Sequence, residues 1–158
     1  MKIIVMSDSH GSFASLDRIF SDFYADCYIH LGDGERELDM IARKFPDKNI
    51  VHVKGNCDFA SISENEVFLM PADNCRIFAT HGHCYNVRYS LDTLRKKAES
   101  LGANVALYGH THERFCSYEN GLYIMNPGST SCPRDGRKPS FGIIDVSESG
   151  IMPSIIDL

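Results

Sequence analysis

This sequence predicts an α/β sandwich: two mixed β-sheets packed face to face, with flanking helices on the outside. Two observations predict it. Through Lys54, apolar runs of strand length alternate with runs of helical periodicity, and beyond it strands predominate. No repeat, low-complexity tract or linker breaks the pattern, so residues 1–158 are expected to form one domain.

Lys2–Ser7 is a β-branched apolar run of strand length. Ser12 is placed to cap a helix whose apolar positions Phe13, Leu16, Ile19, Phe20 and Phe23 share one face, as core rather than as a ligand box. A second strand is expected over Cys27–Leu31, a second helix over Glu35–Lys44 and a third strand over Ile50–Lys54. Two strands near Glu66–Met70 and Arg76–Thr80 flank the turn-forming Pro71-Ala72-Asp73-Asn74. A helix runs from Leu91 to Leu101, with Ser90 as cap and Gly102 as stop. Val105–Tyr108 follows as a buried strand, then a hairpin turning at Asn120-Gly121 between Phe115–Glu119 and Leu122–Met125. Phe141–Val146 and Met152–Ile156, joined through Glu148-Ser149-Gly150, close the chain.

Composition excludes several classes. A hydrophobic share of 43% is that of a globular protein. Apolar runs such as Ile3–Met6 are too short to cross a bilayer and no leader pattern opens the chain, so a cytoplasmic protein without membrane contact is expected. The net charge of −5 argues against a nucleic-acid coat but leaves room for a nucleotide-sized ligand, because metal ions can supply local positive charge. Six scattered cysteines, without C-x-x-C spacing, are expected as reduced thiols, mostly small buried hydrophobes.

Five polar clusters sit just past strand ends: Asp8-Ser9-His10, Gly32-Asp33, Gly55-Asn56-Cys57-Asp58, His81-Gly82-His83 and Gly109-His110-Thr111-His112. In open α/β folds ligands gather beyond the carboxyl ends of the strands, so these clusters can converge. Singly each has a plain alternative: a turn aspartate, a capping asparagine, a hydrogen-bonded structural histidine. Together they make an oxygen and nitrogen donor set without thiolate, suited to Mn²⁺, Fe or Zn²⁺. Asp8, His10, Asp33, Asn56, His81, His110 and His112 are too many for one tetrahedral ion and enough for two sharing a carboxylate. Two metals roughly 3.5–4 Å apart activate water and stabilise an in-line displacement at phosphorus.

These ordered motifs resemble those of the calcineurin-like metallophosphoesterase superfamily. Asn126-Pro127-Gly128-Ser129, followed by Ser131 and Pro133-Arg134, together with Cys57, is similar to its small YfcE-like phosphodiesterase branch. The resemblance implies the four-layer αββα fold of that superfamily. It implies one metal held by Asp8, His10 and His112, a second held by Asn56, His81 and His110, and Asp33 bridging both. The implied reaction is hydrolysis of a phosphodiester by a metal-bridging hydroxide, with Asp33, Asn56, Cys57 and His81 at the reacting centre. The cofactor expected is a pair of divalent ions, Mn²⁺ foremost, with Fe, Zn²⁺ or Ni²⁺ as alternatives. The partner expected is a small phosphodiester or nucleotide-like substrate. A phosphomonoesterase or a nuclease of the same superfamily is the nearer alternative, and a non-catalytic scaffold resembling the retromer subunit the more distant one.

One residue departs from the superfamily pattern. Many members carry, after the metal-binding Asn, a His that protonates the leaving group; here the position is Cys57. A thiol is a poorer donor to an alkoxide, which favours diesters; alternatively Cys57 is a packing residue. His83 reads as a neighbour of the ligands, a substrate contact or a further ligand, Asp58 as an orienting or turn residue, and Arg134 as a phosphate contact or solvated surface. Loops 57–65 and 84–89 are placed to wall the site, with Tyr85 and Tyr89 either stacking on a substrate or packing. An exposed edge strand would allow a homo-oligomer.

Overall fold

The structure is a computed structural model describing residues 1–158. Its first sheet has the order β10-β9-β1-β2-β3. Here β1 (Lys2–Met6), β2 (Cys27–His30) and β3 (Ile50–His52) run parallel. β9 (Ser140–Ser147) lies antiparallel to β1, and β10 (Gly150–Asp157) antiparallel to β9. The second sheet has the order β4-β5-β6-β8-β7. Its parallel centre is β5 (Cys75–Thr80), β6 (Val105–Leu107) and β8 (Leu122–Pro127), flanked by antiparallel β4 (Glu66–Ala72) and β7 (Arg114–Glu119).

Alternation along the strands builds the layers, because successive side chains leave a strand on opposite faces. Ile3 and Val5 of β1 join Ile77, Val105 and Leu107 in the core between the sheets. Ile4 and Met6 point outward, against Leu16, Ile19 and Phe20 of α1 (Phe13–Asp22) and Leu38 and Ile41 of α2 (Glu35–Lys44). On the far side Phe78 and Ala106 pack on Leu94 and Ala98 of α3 (Asp92–Ser100). The result is helix, sheet, sheet, helix, as expected. No helix is long and apolar enough to cross a membrane.

Several local expectations are corrected. Ser12 stands at the start of α1, but its side chain makes no capping bond. Pro71 and Ala72 belong to β4 rather than to the turn, and the register shifts between Leu69 and Ala72. An edge strand tolerates a proline that cannot donate to a ladder. Ser90 lies two residues before the start of α3, one before the N-cap position Leu91, and its hydroxyl accepts the Asp92 N–H at 3.1 Å. Only Cys27 and Cys75 are buried; Cys57, Cys84, Cys116 and Cys132 are exposed because they lie in loops, in a single 3-10 turn over His83–Tyr85 or on edge strand β7.

Candidate metal centre

All seven candidate donors leave the carboxyl ends of parallel strands. Asp8 and His10 follow β1, Asp33 follows β2, Asn56 follows β3, His81 follows β5, and His110 and His112 follow β6. Five of them adopt left-handed backbone: Asp8 (φ 55°), His10 (41°), Asp33 (58°), His110 (67°) and His112 (61°). That conformation costs an L-residue about 1–2 kcal/mol, and strain of this kind collects where function demands it. Cross-links between turns hold it in place. Asp8 N–H donates to the Gly32 carbonyl (3.1 Å), His10 N–H to Asp33 (3.0 Å) and Gly109 N–H to His81 (3.0 Å). Gly109 is packed so closely that a Cβ there would fall 1.9 Å from Ser7 Oγ and 2.8 Å from Asp8 Oδ2.

The donors meet in two overlapping groups. In the first, His112 Nε2 lies 3.1 Å and His10 Nε2 3.8 Å from Asp8 Oδ1, and the two imidazole nitrogens are 3.0 Å apart. In the second, His81 Nε2 lies 3.1 Å from Asn56 Oδ1, 3.2 Å from His110 Nδ1 and 3.5 Å from Asp33 Oδ2. Asp33 Oδ2 also lies 3.9 Å from His10 Nε2, so this carboxylate stands between the groups.

The arrangement fits cations. Asp8 is fully buried; its Oδ2 accepts from Ser7 Oγ and His110 N–H, but Oδ1 has no donor. An orphaned buried carboxylate oxygen is costly unless a positive charge answers it. Backbone carbonyls of Leu31 and Cys132 take the Nδ1 protons of His81 (2.7 Å) and His112 (2.8 Å), which turns their Nε2 lone pairs inward. Burial alone would lower the pKa of His112, but Asp8 outweighs it and raises that pKa, so a proton is drawn toward the same spot. Burial, then the neighbouring His81, push His110 down to about 4 and keep it neutral as a ligand must be.

Behind the donors lies a frame that the sequence reading only partly anticipated. Asp58, weighed there as an orienting or turn residue, accepts four backbone N–H groups: Asp33 and Gly55 at 2.8 Å, Gly34 at 3.0 Å and Glu35 at 3.1 Å. It ties the β2 and β3 turns together and caps α2, whose own N-cap Gly34 has no side chain. Burial raises its pKa, but those four donors outweigh that and hold it below the ordinary carboxylate value. Buried Glu37 carries no local sequence signal of a role. It accepts from Ser9 Oγ (2.6 Å) and Gly11 N–H (2.7 Å), bracing the His10 turn. Ser129 Oγ donates to the Asp8 carbonyl (2.7 Å), and Asn126 Nδ2 to the Gly109 carbonyl (2.9 Å). The signal for both is the Asn126-Pro127-Gly128-Ser129 stretch, which straddles the end of β8.

The remaining expectations divide. Cys57 donates its backbone N–H to Asp33 Oδ1 (2.7 Å), and its side chain is exposed at the site rather than packed. The ring of His83 lies 5.3 Å from that of His81 and 6.2 Å from that of His110, beside the second group. Tyr85 is a packing residue: it bonds Glu66 and meets Phe78 edge to face. Tyr89 is 91% exposed. Arg134 bonds the His112 carbonyl through its backbone N–H (3.0 Å), with its side chain in solvent.

Comparison with known proteins places the fold in a family. The chain is 36% identical over 146 residues to the probable metallophosphoesterase YsnB of Bacillus subtilis, covering 91% of this chain and 83% of that protein. It is 28% identical to the phosphodiesterase YfcE of Escherichia coli K12, covering 92% and 88%. A predicted phosphoesterase from Streptococcus pneumoniae TIGR4 superposes with a TM-score of 0.87 at 28% identity, covering 99% of this chain and 88% of that one. Vps29 of Entamoeba histolytica in complex with Zn²⁺ shares the fold, with a TM-score of 0.75 at 21% identity and 99% of each chain covered. A profile of the calcineurin-like phosphoesterase superfamily domain matches residues 1–149, and the chain belongs to that superfamily.

Proposed function

We propose that this chain hydrolyses small phosphodiesters with the help of two divalent metal ions, Mn²⁺ foremost, and works as a single domain over residues 1–158. The buried, donor-less Oδ1 of Asp8 opposite inward-turned imidazole nitrogens carries the reading. Asp8, His10 and His112 would hold one ion, and Asn56, His81 and His110 the other. Asp33 would serve both, since its Oδ2 faces a histidine of each group while Oδ1 is anchored by the Cys57 N–H. When bound, such a pair supplies a water of lowered pKa and positive charge for the phosphoryl oxygens.

The chain's own groups do the positioning. Leu31 and Cys132 carbonyls orient His81 and His112, and Asp58 keeps the Asp33 and Asn56 turns in register. In the metal-free chain partial desolvation, with Asp33 alongside, pushes the Cys57 thiol up to about 11, so there it is neutral and a weak proton donor to an alkoxide. That supports a preference for diesters over monoesters.

The test is a screen of metal-stripped protein, reconstituted separately with Mn²⁺, Fe²⁺, Zn²⁺ and Ni²⁺, against mono-, di- and cyclic phosphates with a chelated control. Turnover that needs metal and favours diesters is expected. No turnover with any ion would leave a non-catalytic scaffold, and a monoester or nucleic-acid preference would reassign the substrate. Cys57→His should shift the preference toward monoesters; an unchanged ratio removes the role given to Cys57.

A further inference from the structure

The rim of the centre carries a sulfur that the oxygen and nitrogen donors do not need. Cys57 is exposed, and ligand atoms of Cys57, His10 and Asp33 all fall within 4.8 Å of one another. One ion bonded to nitrogen and oxygen at about 2.0–2.2 Å and to sulfur at about 2.3 Å would draw such a triangle inward by side-chain rotation. His10 also belongs to a second such triangle with Asp8 and His112, and Asp33 to a third with Asp8 and His81. The sulfur-containing arrangement therefore competes with the others for two donors.

We propose that Cys57 is a reserve thiolate ligand: with His10 and Asp33 it captures thiophilic divalent cations such as Zn²⁺ or Cd²⁺ in an arrangement that excludes the Mn²⁺-loaded state. The inference rests on the two-metal reading above. In the capture step the Cys57 S–H bond breaks, a sulfur–metal bond forms and the proton passes to water; no electron changes hands. Selectivity follows from ligand softness. Mn²⁺ is served by carboxylate, amide and imidazole, whereas Zn²⁺ and Cd²⁺ form stronger bonds to thiolate and displace its proton. Thiophilic ions should then inhibit the Mn²⁺-supported reaction.

The experiment is absorbance titration of the metal-stripped full chain with Co²⁺ and Cd²⁺, read at the near-ultraviolet sulfur-to-metal charge-transfer band. The band should appear in the wild type, vanish in Cys57→Ser and persist in Cys132→Ser and Cys84→Ser. With each protein normalised to its own Mn²⁺-supported rate, the Zn²⁺ concentration giving half inhibition should rise at least about tenfold in Cys57→Ser, the least loss typical even of a group that only orients a metal ligand. A band that survives in Cys57→Ser overturns the inference. So does Co²⁺ bound with visible d–d bands and no charge-transfer band, an outcome that leaves the two-metal reading standing. Absence of binding by either ion in calorimetry overturns both.

Discussion

Two kinds of turn in this molecule use left-handed backbone, for different reasons. The β7–β8 hairpin turns through Asn120 (φ 52°) and Gly121 (81°), exposed residues suited to that geometry by their own chemistry. At the carboxyl ends of β1, β2 and β6 the same backbone is adopted by Asp8, His10, Asp33, His110 and His112, types that tolerate it better than most side chains but less readily than an Asn-Gly pair. The first turn is held by itself. The others are held from outside, by Asp58, Glu37, Ser129, Asn126 and a glycine with no room for a Cβ. Strain that topology does not require marks the residues whose side chains must converge.

The sharpest break of this contrast is Asp33→Asn. It should lower metal-dependent turnover by about 10²-fold or more, as loss of a group that stabilises reacting charge does. Retained Mn²⁺ affinity by calorimetry would remove Asp33 from the centre. Next comes Asp58→Ala, which strips four backbone donors of their acceptor and should cost about 3 kcal/mol or more in urea denaturation. A loss below about 1 kcal/mol would mean that the turns hold themselves, as the hairpin does.

A smaller effect is graded by pH. His30 accepts the Gly32 N–H at Nδ1 (3.2 Å) and lies 3.0 Å from Ser9 Oγ. Burial, then nearby His52, push it down to about 3. A folded-state pKa below the unfolded value means the unfolded chain binds the extra proton first, so stability is lost as pH falls from about 6.5 toward 3. Each such proton contributes a slope of at most about 1.4 kcal/mol per pH unit. Denaturation midpoints of the metal-free protein should fall across this window and less steeply in His30→Gln; an equal slope would clear His30. The least effect is expected at Asn120→Gly, within about 0.5 kcal/mol, since both residues accept that geometry. A larger loss would show that the hairpin too depends on outside support.

Much of this was legible in advance because it is local. Strand ends could be read from β-branched runs, and the donors stand directly after those ends. The turn glycines and the Asn120-Gly121 hairpin follow from backbone sterics. Pro71 belongs to a strand against its local signal, because proline marks a turn unless an edge strand accepts it, and edge position is not local. Tyr85 and Glu37 could not be assigned because their partners, Glu66 and Phe78 for one and Ser9 and Gly11 for the other, lie on separate elements.

The sequence by itself determined the order of strands and helices and the place of the candidate donors at strand ends, because periodicity and turn chemistry act over a few residues. Only the tertiary structure decided which donors face one another, which ring nitrogens turn inward and which thiols are exposed. His10 and His112 are 102 positions apart yet 3.0 Å apart in space, and only the packing of one sheet on the other brings them there.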